Sequence, residues 1–200
     1  MRFFSPRSWS ITICSLSLAA ALAAGCDGKP RFRSTDITGA DYGKTLELTD
    51  QTGRPRRLED WRGKVVVLFF GFTHCPDVCP TTLADLSQVM KQLGPDAERV
   101  QVLFVTVDPE RDTPEVLGEY VGAFDPRFLG LYGDAAATQR AAREFKVFYE
   151  KRKTADGYSV DHSGQTYVID PQGRLRLFVR PERLASDLPE DLKTLLKSSS

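Results

Sequence analysis

Two cysteines, Cys75 and Cys79, are the residues best suited to chemistry, and both lie in the stretch FTHCPDVCPTTL. Each is followed directly by a proline, and the pair comes after an apolar run, KVVVLFFGF. Three residues separate the cysteines, whereas the motif of dedicated thiol oxidoreductases has two. The spacing still permits a disulfide, and two thiolates also form a soft donor set that selects Cu(I) or zinc. A redox pair, a metal site and a structural staple are therefore all open at this point.

A metal site with two sulfurs needs a third ligand, and the chain has two histidines. His74 is the neighbour of Cys75, and neighbours in an extended loop point to opposite sides, so we expect it to remain outside the coordination sphere. His162 lies in VDHSGQTYVID, a glycine-containing loop before a predicted strand, and is the remaining candidate. An ordinary surface histidine is the alternative. Asp161 beside it could orient the ring, although a solvated loop acid is the simpler interpretation.

The elements around the cysteines predict a reactive position. KVVVLFFGF is typical of a central strand buried on both faces, and TTLADLSQVMKQLG has apolar residues at helical spacing before Gly94-Pro95. Proline disfavours helical geometry in the residue before it. We therefore predict a loop that carries both cysteines from the strand to a helix opened by Pro80. This puts Cys79 near the N-cap, where unpaired N–H groups and the helix dipole favour a thiolate.

The rest of the chain predicts alternating strands and helices. A hairpin is predicted in TLELTDQTGRPRRL, and a second buried strand in VQVLFVTVD. Two helices are predicted in TPEVLGEYVGAF and ATQRAAREFKVFYEK, then two strands in QTYVID and RLRLFV and a closing helix in PEDLKTLLK. This order predicts an α/β fold with a central mixed sheet flanked by helices and with an N-terminal β-hairpin.

The first 26 residues have the pattern of an export signal. Arg2 and Arg7 precede a largely apolar run from Ile11 to Ala24. That run of about 14 residues is short for a membrane span of about 20, which favours a cleaved signal over a retained anchor. The small residues that end in Gly25-Cys26 resemble the lipobox of bacterial lipoproteins, in which the cysteine is lipidated.

Lipidation at Cys26 divides the chain into three expected segments. These are a lipoprotein-type signal peptide at 1–25, a lipidated cysteine with a flexible tether at 26–42, and the folded domain at 43–200. Leu22 stands one place earlier than a lipobox usually has its leucine. Asp27, directly after the cysteine, resembles the signal that keeps some lipoproteins at the inner membrane. We expect the domain to be held by its lipid at the periplasmic face of the bacterial inner membrane.

Composition and export narrow the classes of function. The chain has 27 basic and 27 acidic residues, and removal of residues 1–25 leaves a net charge of −2. Without a clustered basic excess, we expect no nucleic-acid binding. Cys14 leaves with the signal and Cys26 carries lipid, so Cys75 and Cys79 are the free cysteines of the exported domain. A single short-loop pair in an oxidising compartment indicates chemistry rather than a disulfide scaffold.

Three blocks of the sequence resemble the Sco/SenC family of copper-handling proteins, which assist assembly of cytochrome c oxidase. They are FFGFTHCPDVCPTTL (Phe69–Leu83), TVDPERDTPEVL (Thr106–Leu117) and DHSGQTYVIDPQGRL (Asp161–Leu175), and they occur in the expected order. The resemblance implies a thioredoxin-like fold. It also implies that the copper ligands are Cys75, Cys79 and His162.

Within the second block, the resemblance matches Asp108, Arg111 and Asp112. For these residues we expect structural roles, such as capping and loop hydrogen bonds, rather than direct chemistry. The middle residues of the third block, HSGQTYVID, depart modestly from the forms usual in the family.

Two functions are compatible with these features. The first is a copper metallochaperone, a carrier rather than an enzyme, that binds Cu(I) or Cu(II) through Cys75, Cys79 and His162. It would receive copper from a periplasmic donor and deliver it to the copper-bearing subunit of cytochrome c oxidase. The second is a membrane-tethered thiol–disulfide oxidoreductase that reduces acceptor cysteines.

Two features count against the oxidoreductase as the sole function. The cysteine spacing is one residue too long, and SGQTYVID lacks the proline, often cis, that usually precedes the strand facing the dithiol. A peroxidase on the same fold would need supporting polar residues that the sequence does not reveal. A purely structural disulfide is the least favoured interpretation.

Overall fold

The structure, a computed structural model, describes residues 1–2, 30–155 and 157–198. Cys26, and the predicted signal peptide from residue 3 onward, lie outside the described residues. The strands are β1 (Thr35–Asp36), β2 (Glu47–Asp50), β3 (Pro55–Arg57), β4 (Val65–Gly71), β5 (Val100–Thr106), β6 (Leu129–Tyr132), β7 (Tyr149–Thr154), β8 (Gly157–His162), β9 (Thr166–Ile169) and β10 (Leu175–Val179). The helices are α1 (Val78–Leu93), α2 (Pro114–Phe124), α3 (Ala135–Glu144) and α4 (Leu184–Lys197).

Eight strands form one mixed sheet, in the order β1-β10-β9-β4-β5-β6-β2-β3. Strands β4, β5 and β6 are parallel, while the β9–β10 hairpin adds antiparallel to β4 and the β2–β3 hairpin adds antiparallel to β6. Every residue of β4 is buried, as a central strand covered on both faces requires. The predicted α/β class, mixed sheet and N-terminal hairpin are confirmed.

Helices cover the sheet. Helix α1 packs against α4 and α2, while α2 packs on β6 and α3 on β2. The predicted end of α1 is confirmed, since Gly94 follows its last residue with a φ of 57°. The predicted start of α2 is confirmed as well, because the Thr113 side chain accepts the N–H of Val116 and Pro114 opens the helix.

The prediction that the loop between β4 and α1 carries both cysteines is wrong for Cys79. Cys75 lies in the loop, but α1 begins at Val78, so Cys79 occupies its first turn. Pro80 is tolerated there because first-turn N–H groups have no partner within the helix, and because the residue four places earlier lies outside the helix. The restriction that proline imposes on the preceding residue is therefore outweighed at this position.

A separate two-stranded sheet, β7–β8, differs from the sequence prediction. The segment FKVFYEK does not continue α3, because the helix ends at Glu144 and Lys146 adopts a positive φ of 52°. The paired strands run from Tyr149 opposite His162 to Thr154 opposite Gly157. Five of the six residues of β7 are exposed, so the apolar alternation that would identify a strand is absent.

Part of the segment expected to be a flexible tether is attached to the domain. Strand β1 pairs with β10, and the N–H groups of Arg33 and Ser34 donate to the carboxylate oxygens of Asp191 at 2.7 and 2.9 Å. The chain is therefore fixed to the fold from Arg33 onward. Within the described ranges, no helix has both the length and the apolar character needed to cross a membrane.

Candidate metal centre

The structure brings Cys75, Cys79 and His162 together beyond the carboxyl end of β4. The two sulfur atoms and an imidazole nitrogen lie within 4.8 Å of one another. The Nε2 atom of His162 is 3.4 Å from the Sγ atom of Cys79. Cys79 is buried, whereas Cys75 and His162 are half-buried. The three residues form a compact group of two sulfurs and one nitrogen that solvent reaches through Cys75 and His162.

Glycine and aromatic residues shape the walls of this group. A Cβ atom on Gly71, the last residue of β4, would lie 2.7 Å from the Sγ atom of Cys79, so a larger residue there would displace the sulfur. The rings of Phe69 and Phe72 contact the imidazole of His162 edge-on, at centroid distances of 6.2 and 5.7 Å. Apolar packing thus restrains the ring without competing for its nitrogen atoms.

A backbone hydrogen bond fixes the tautomer of His162. Its Nδ1 atom is 3.0 Å from the carbonyl oxygen of Ser163. Because a carbonyl oxygen only accepts, Nδ1 carries the proton and donates it. The Nε2 atom, which faces Cys79, then presents its lone pair. This lone pair can accept the proton of the Cys79 thiol or bind a metal ion.

The two cysteines have opposite acid–base character. The largest effect on the pKa of Cys75 is a lowering by the hydrogen bond that the Cys79 thiol donates. Partial burial raises this pKa, and the backbone N–H groups of Asp77 and Cys79 lower it further. Together these interactions lower the pKa of Cys75 to about 5. The same hydrogen bond and deeper burial raise the pKa of Cys79 above its ordinary value. The N-terminus of α1 therefore stabilises a thiolate at Cys75, not at Cys79 as the sequence suggested.

The β7–β8 hairpin that carries His162 is held by Arg111. The Arg111 guanidinium forms an ion pair with the fully buried carboxylate of Asp108. It also donates to the Tyr158 carbonyl at 3.0 Å and stacks 3.9 Å from the centroid of the Tyr158 ring. The Tyr158 hydroxyl donates to Asp108 at 2.8 Å. No signal in the sequence identifies Tyr158, because it becomes important only through this contact.

Asp112 holds the cysteine loop from the same segment. Its carboxylate accepts hydrogen bonds from the Thr73 N–H at 3.1 Å, from the Thr73 hydroxyl at 2.6 Å and from the Thr106 hydroxyl at 2.6 Å. Together with the contacts of Asp108 and Arg111, these bonds confirm the structural roles expected for the second block.

Two other residues considered from the sequence lie outside the group. His74 is exposed, and its Nδ1 atom is 3.0 Å from the Thr73 hydroxyl. Asp161 is also exposed and forms an ion pair with Arg152 at 2.7 Å. The interpretation of Asp161 as a solvated acid is confirmed, and neither residue joins the cluster of potential ligands.

The reactivity of Cys75 tests this arrangement. We expect alkylation of Cys75 by iodoacetamide to rise with pH around a midpoint near 5, because the thiolate is the nucleophile. Cys79→Ala removes the thiol donor and should move the midpoint upward, towards the ordinary value of about 8.5. Peptide mass spectrometry after timed alkylation measures both. His74→Ala is the matched control and should leave the midpoint unchanged; a midpoint already near 8.5 in the unmodified protein would contradict the geometry.

Arg111→Lys tests the attachment of the hairpin. Lysine keeps the charge but loses the planar stack on Tyr158 and the second hydrogen bond of the guanidinium. We expect amide hydrogen exchange in β7 and β8 to accelerate about tenfold, with β9 unchanged. Lys153→Gln is the control, since it removes a positive charge from an exposed position on the same strand, β7. Equal exchange rates in the Arg111→Lys variant and the unmodified protein would show that the hairpin is held in another way.

Comparison with known proteins gives a consistent assignment. The SCO1/SenC family model matches residues 34–197. The protein SCO2 homolog, mitochondrial, of Bos taurus is 39% identical over 171 residues, which cover 83% of this chain and 64% of that relative. The chain thus spans less than two thirds of the length of this relative.

Two solved structures share the fold at comparable identity. Bradyrhizobium japonicum ScoI with copper bound is 40% identical, with a TM-score of 0.72 over 78% of this chain and 99% of that one. The apo Sco1 protein from Thermus thermophilus is 44% identical, with a TM-score of 0.74 over 84% of this chain and 99% of that one. The thioredoxin-like fold implied by the sequence resemblance is therefore confirmed. By sequence and by structure, the chain belongs to the SCO1/SenC family.

Proposed function

We propose that this domain is a copper carrier that holds the metal through Cys75, Cys79 and His162. The observation that carries the proposal is the compact group of two sulfurs and one imidazole nitrogen, all within 4.8 Å. Soft thiolates with a borderline imidazole are a donor set that suits Cu(I), and a further oxygen or nitrogen donor would accommodate Cu(II). The copper-bound state of the Bradyrhizobium japonicum relative supports copper as the cargo.

The protonation states of the site favour uptake of a cation. Cys75 is a thiolate at neutral pH, so one ligand is ready to bind. Cys79 keeps its proton in the free protein and must release it when the metal binds. Metal binding therefore releases protons, and copper affinity should fall as the pH is lowered. The orientation of His162 by the Ser163 carbonyl means that its ring need not change tautomer.

The carrier would act between a periplasmic copper donor and an acceptor at the membrane. Family membership supports the copper-bearing subunit of cytochrome c oxidase as that acceptor. Half-burial of Cys75 and His162 leaves two of the three ligands open to an approaching thiol or imidazole. The buried Cys79 would release copper last, after the acceptor has replaced the two accessible ligands.

A copper titration of the reduced protein tests the carrier. We expect saturation at one copper per chain, and a loss of Cu(I) affinity of about 100-fold in His162→Ala, because one of three donors is removed. Competition against a chromophoric chelator measures the affinity. His74→Ala changes the other histidine and should have no effect. Equal affinities of the unmodified protein and the His162→Ala variant would exclude the three-ligand site.

A second function, reduction of acceptor disulfides, is favoured by the low pKa of Cys75 beside a buried thiol. The Cys75 thiolate would attack a disulfide sulfur of the acceptor, forming a mixed disulfide and releasing one acceptor thiolate. Cys79 would then lose its proton to the Nε2 atom of His162 and attack Cys75, which releases the second acceptor thiolate. The two cysteines end as a disulfide, and the acceptor gains two electrons. Efficient reduction of an acceptor disulfide by the unmodified protein, together with unchanged copper affinity in the His162→Ala variant, would make this the main function.

We further propose that the chain is a lipoprotein anchored through Cys26 at the periplasmic face of the inner membrane. The support is the sequence of the first 26 residues, with small residues directly before the cysteine. We expect the mature protein to begin at Cys26 and to carry acyl groups, and intact mass spectrometry checks both. Cys26→Ala should abolish acylation. A mature protein without acyl groups, or a Cys26→Ala variant with the mature mass of the parent, would contradict the proposal.

A further inference from the structure

We propose that the edge of the domain that holds the metal centre faces the membrane, with Arg33 and Arg180 against anionic phospholipid headgroups. The inference rests on attachment of the N-terminal segment to a membrane. It adds an orientation and a lipid contact to the proposed function.

Sheet register puts the N-terminal segment and the metal centre at the same edge of the domain, the one formed by the carboxyl end of β4. Thr35 of β1 pairs with Phe178, Val179 of β10 pairs with Thr166, and Thr166 of β9 pairs with Phe69. Strand β1 therefore begins where β10 ends, β9 begins and β4 ends. Neighbouring strands lie about 4.8 Å apart, so the three steps from β4 to β1 cover about 15 Å.

The segment between β10 and α4 joins the two regions directly. A Cβ atom on Gly164, two residues after His162, would lie 3.3 Å from the Cγ atom of Pro181 and 3.6 Å from the Cγ2 atom of Val78. Pro181 thus packs against the loop that follows His162, and Val78 directly precedes Cys79. The surface around Arg180 is continuous with the metal centre.

The chain is fixed to the domain at this edge. Asp191, a buried carboxylate on α4, accepts the backbone N–H groups of Arg33 and Ser34 and so fixes the chain there. Seven residues lead from Cys26 to Arg33, and seven residues reach at most about 25 Å. A lipid on Cys26 would therefore hold this edge close to the bilayer.

The chemistry of this edge suits a phosphate group. Three arginines, Arg33, Arg180 and Arg183, line a cleft of about 220 Å³ together with Ser34 and one carboxylate, Asp187. The Ser34 hydroxyl is buried and has no hydrogen-bond partner among the residues that the structure describes. Asp187 occupies Arg183 with two hydrogen bonds. The guanidinium of Arg180 is well exposed, and its ion pair with Glu182 at 3.5 Å is exposed and weak.

The geometry favours a lipid headgroup, rather than free phosphate, as the phosphate group at this cleft. Basic residues close to a membrane are attracted to anionic headgroups within about one Debye length, or about 8 Å at physiological ionic strength. The two arginines would turn the tethered domain so that Cys75 and His162 lie near the bilayer surface. Copper exchange would then occur beside a membrane-embedded acceptor rather than away from it.

Fluorescence quenching by a headgroup-attached quencher tests the orientation on the full chain in vesicles. The label is placed at Asp77→Cys, beside the metal centre, or at Gln172→Cys, in the turn at the opposite edge, with Cys14, Cys75 and Cys79 changed to serine. Mass spectrometry checks that each chain carries one label, and in a chain whose Cys26 is not acylated that cysteine is changed to serine as well. Circular dichroism checks folding. Because the seven residues of β4 separate the edges by about 23 Å, we expect about twofold or greater quenching at Asp77→Cys. Equal quenching, or greater quenching at Gln172→Cys, overturns the orientation.

The headgroup contact is tested by adding Arg33→Gln with Arg180→Gln. On phosphatidylcholine vesicles with about 30% phosphatidylglycerol, this pair should reduce the difference between the two labels, as should high salt. Arg140→Gln with Arg143→Gln removes the same charge from α3, which packs beside β2 across the sheet from β1, and should have no effect. Equal effects of the two double substitutions overturn the contact. It is also overturned if inorganic phosphate, at unchanged ionic strength, abolishes the difference in quenching between the two labels, because the cleft would then bind a free anion.

The orientation and the lipoprotein proposal can fail separately. The orientation follows from where the chain enters the fold, so it is expected with an acylated Cys26 and equally with a retained signal segment. A protein without acyl groups that still shows the difference in quenching would overturn the lipoprotein proposal alone. An acylated protein without that difference would overturn the orientation alone.

Discussion

The attachment of the β7–β8 hairpin to the segment after β5 is the interaction on which the metal centre depends. His162 lies 83 residues beyond Cys79 in the chain and stands at the end of a hairpin whose first strand is almost entirely exposed. A hairpin of two strands is only marginally stable by itself. The Arg111 guanidinium, held between the buried Asp108 carboxylate and the Tyr158 ring, supplies the anchor that its own strands cannot. The anchor holds the hairpin, while the rings of Phe69 and Phe72 restrain the imidazole of the third ligand.

The segment from Thr106 to Asp112 organises the site without contributing a ligand. Asp112 holds Thr73 and hence the loop that leads to Cys75, while Arg111, its neighbour in sequence, holds the histidine hairpin. One short stretch after β5 therefore holds both the cysteine loop and the histidine hairpin in place. Charged side chains suit this task because Asp108 and Asp112 are buried, and a buried carboxylate with fixed hydrogen bonds has few alternative arrangements.

The difference between the two cysteines suits both transfer of a metal and exchange of a disulfide. Cys75 is accessible and ionised near neutral pH, whereas Cys79 is buried and keeps its proton. The asymmetry arises from burial and from the hydrogen bond that Cys79 donates, so neither cysteine has this character alone. In the proposed carrier, exchange with a partner would begin at Cys75 while Cys79 and His162 still hold the metal. In the proposed reduction of a disulfide, Cys75 would likewise react first and Cys79 second.

The sequence by itself determined the α/β class, the central strands, the end of α1 and the start of α2, because these depend on apolar runs and turn residues that are visible locally. The three residues of the candidate site followed from their chemistry and from the resemblance to a family. The sequence could not reveal the β7–β8 hairpin, since an exposed strand such as β7 has no apolar alternation, nor the inclusion of Cys79 in α1. Only the tertiary structure decided which cysteine is the thiolate, because burial and the direction of a hydrogen bond set the pKa. It also decided that the N-terminal segment and the metal centre share one edge, because strand order and register are properties of the assembled sheet.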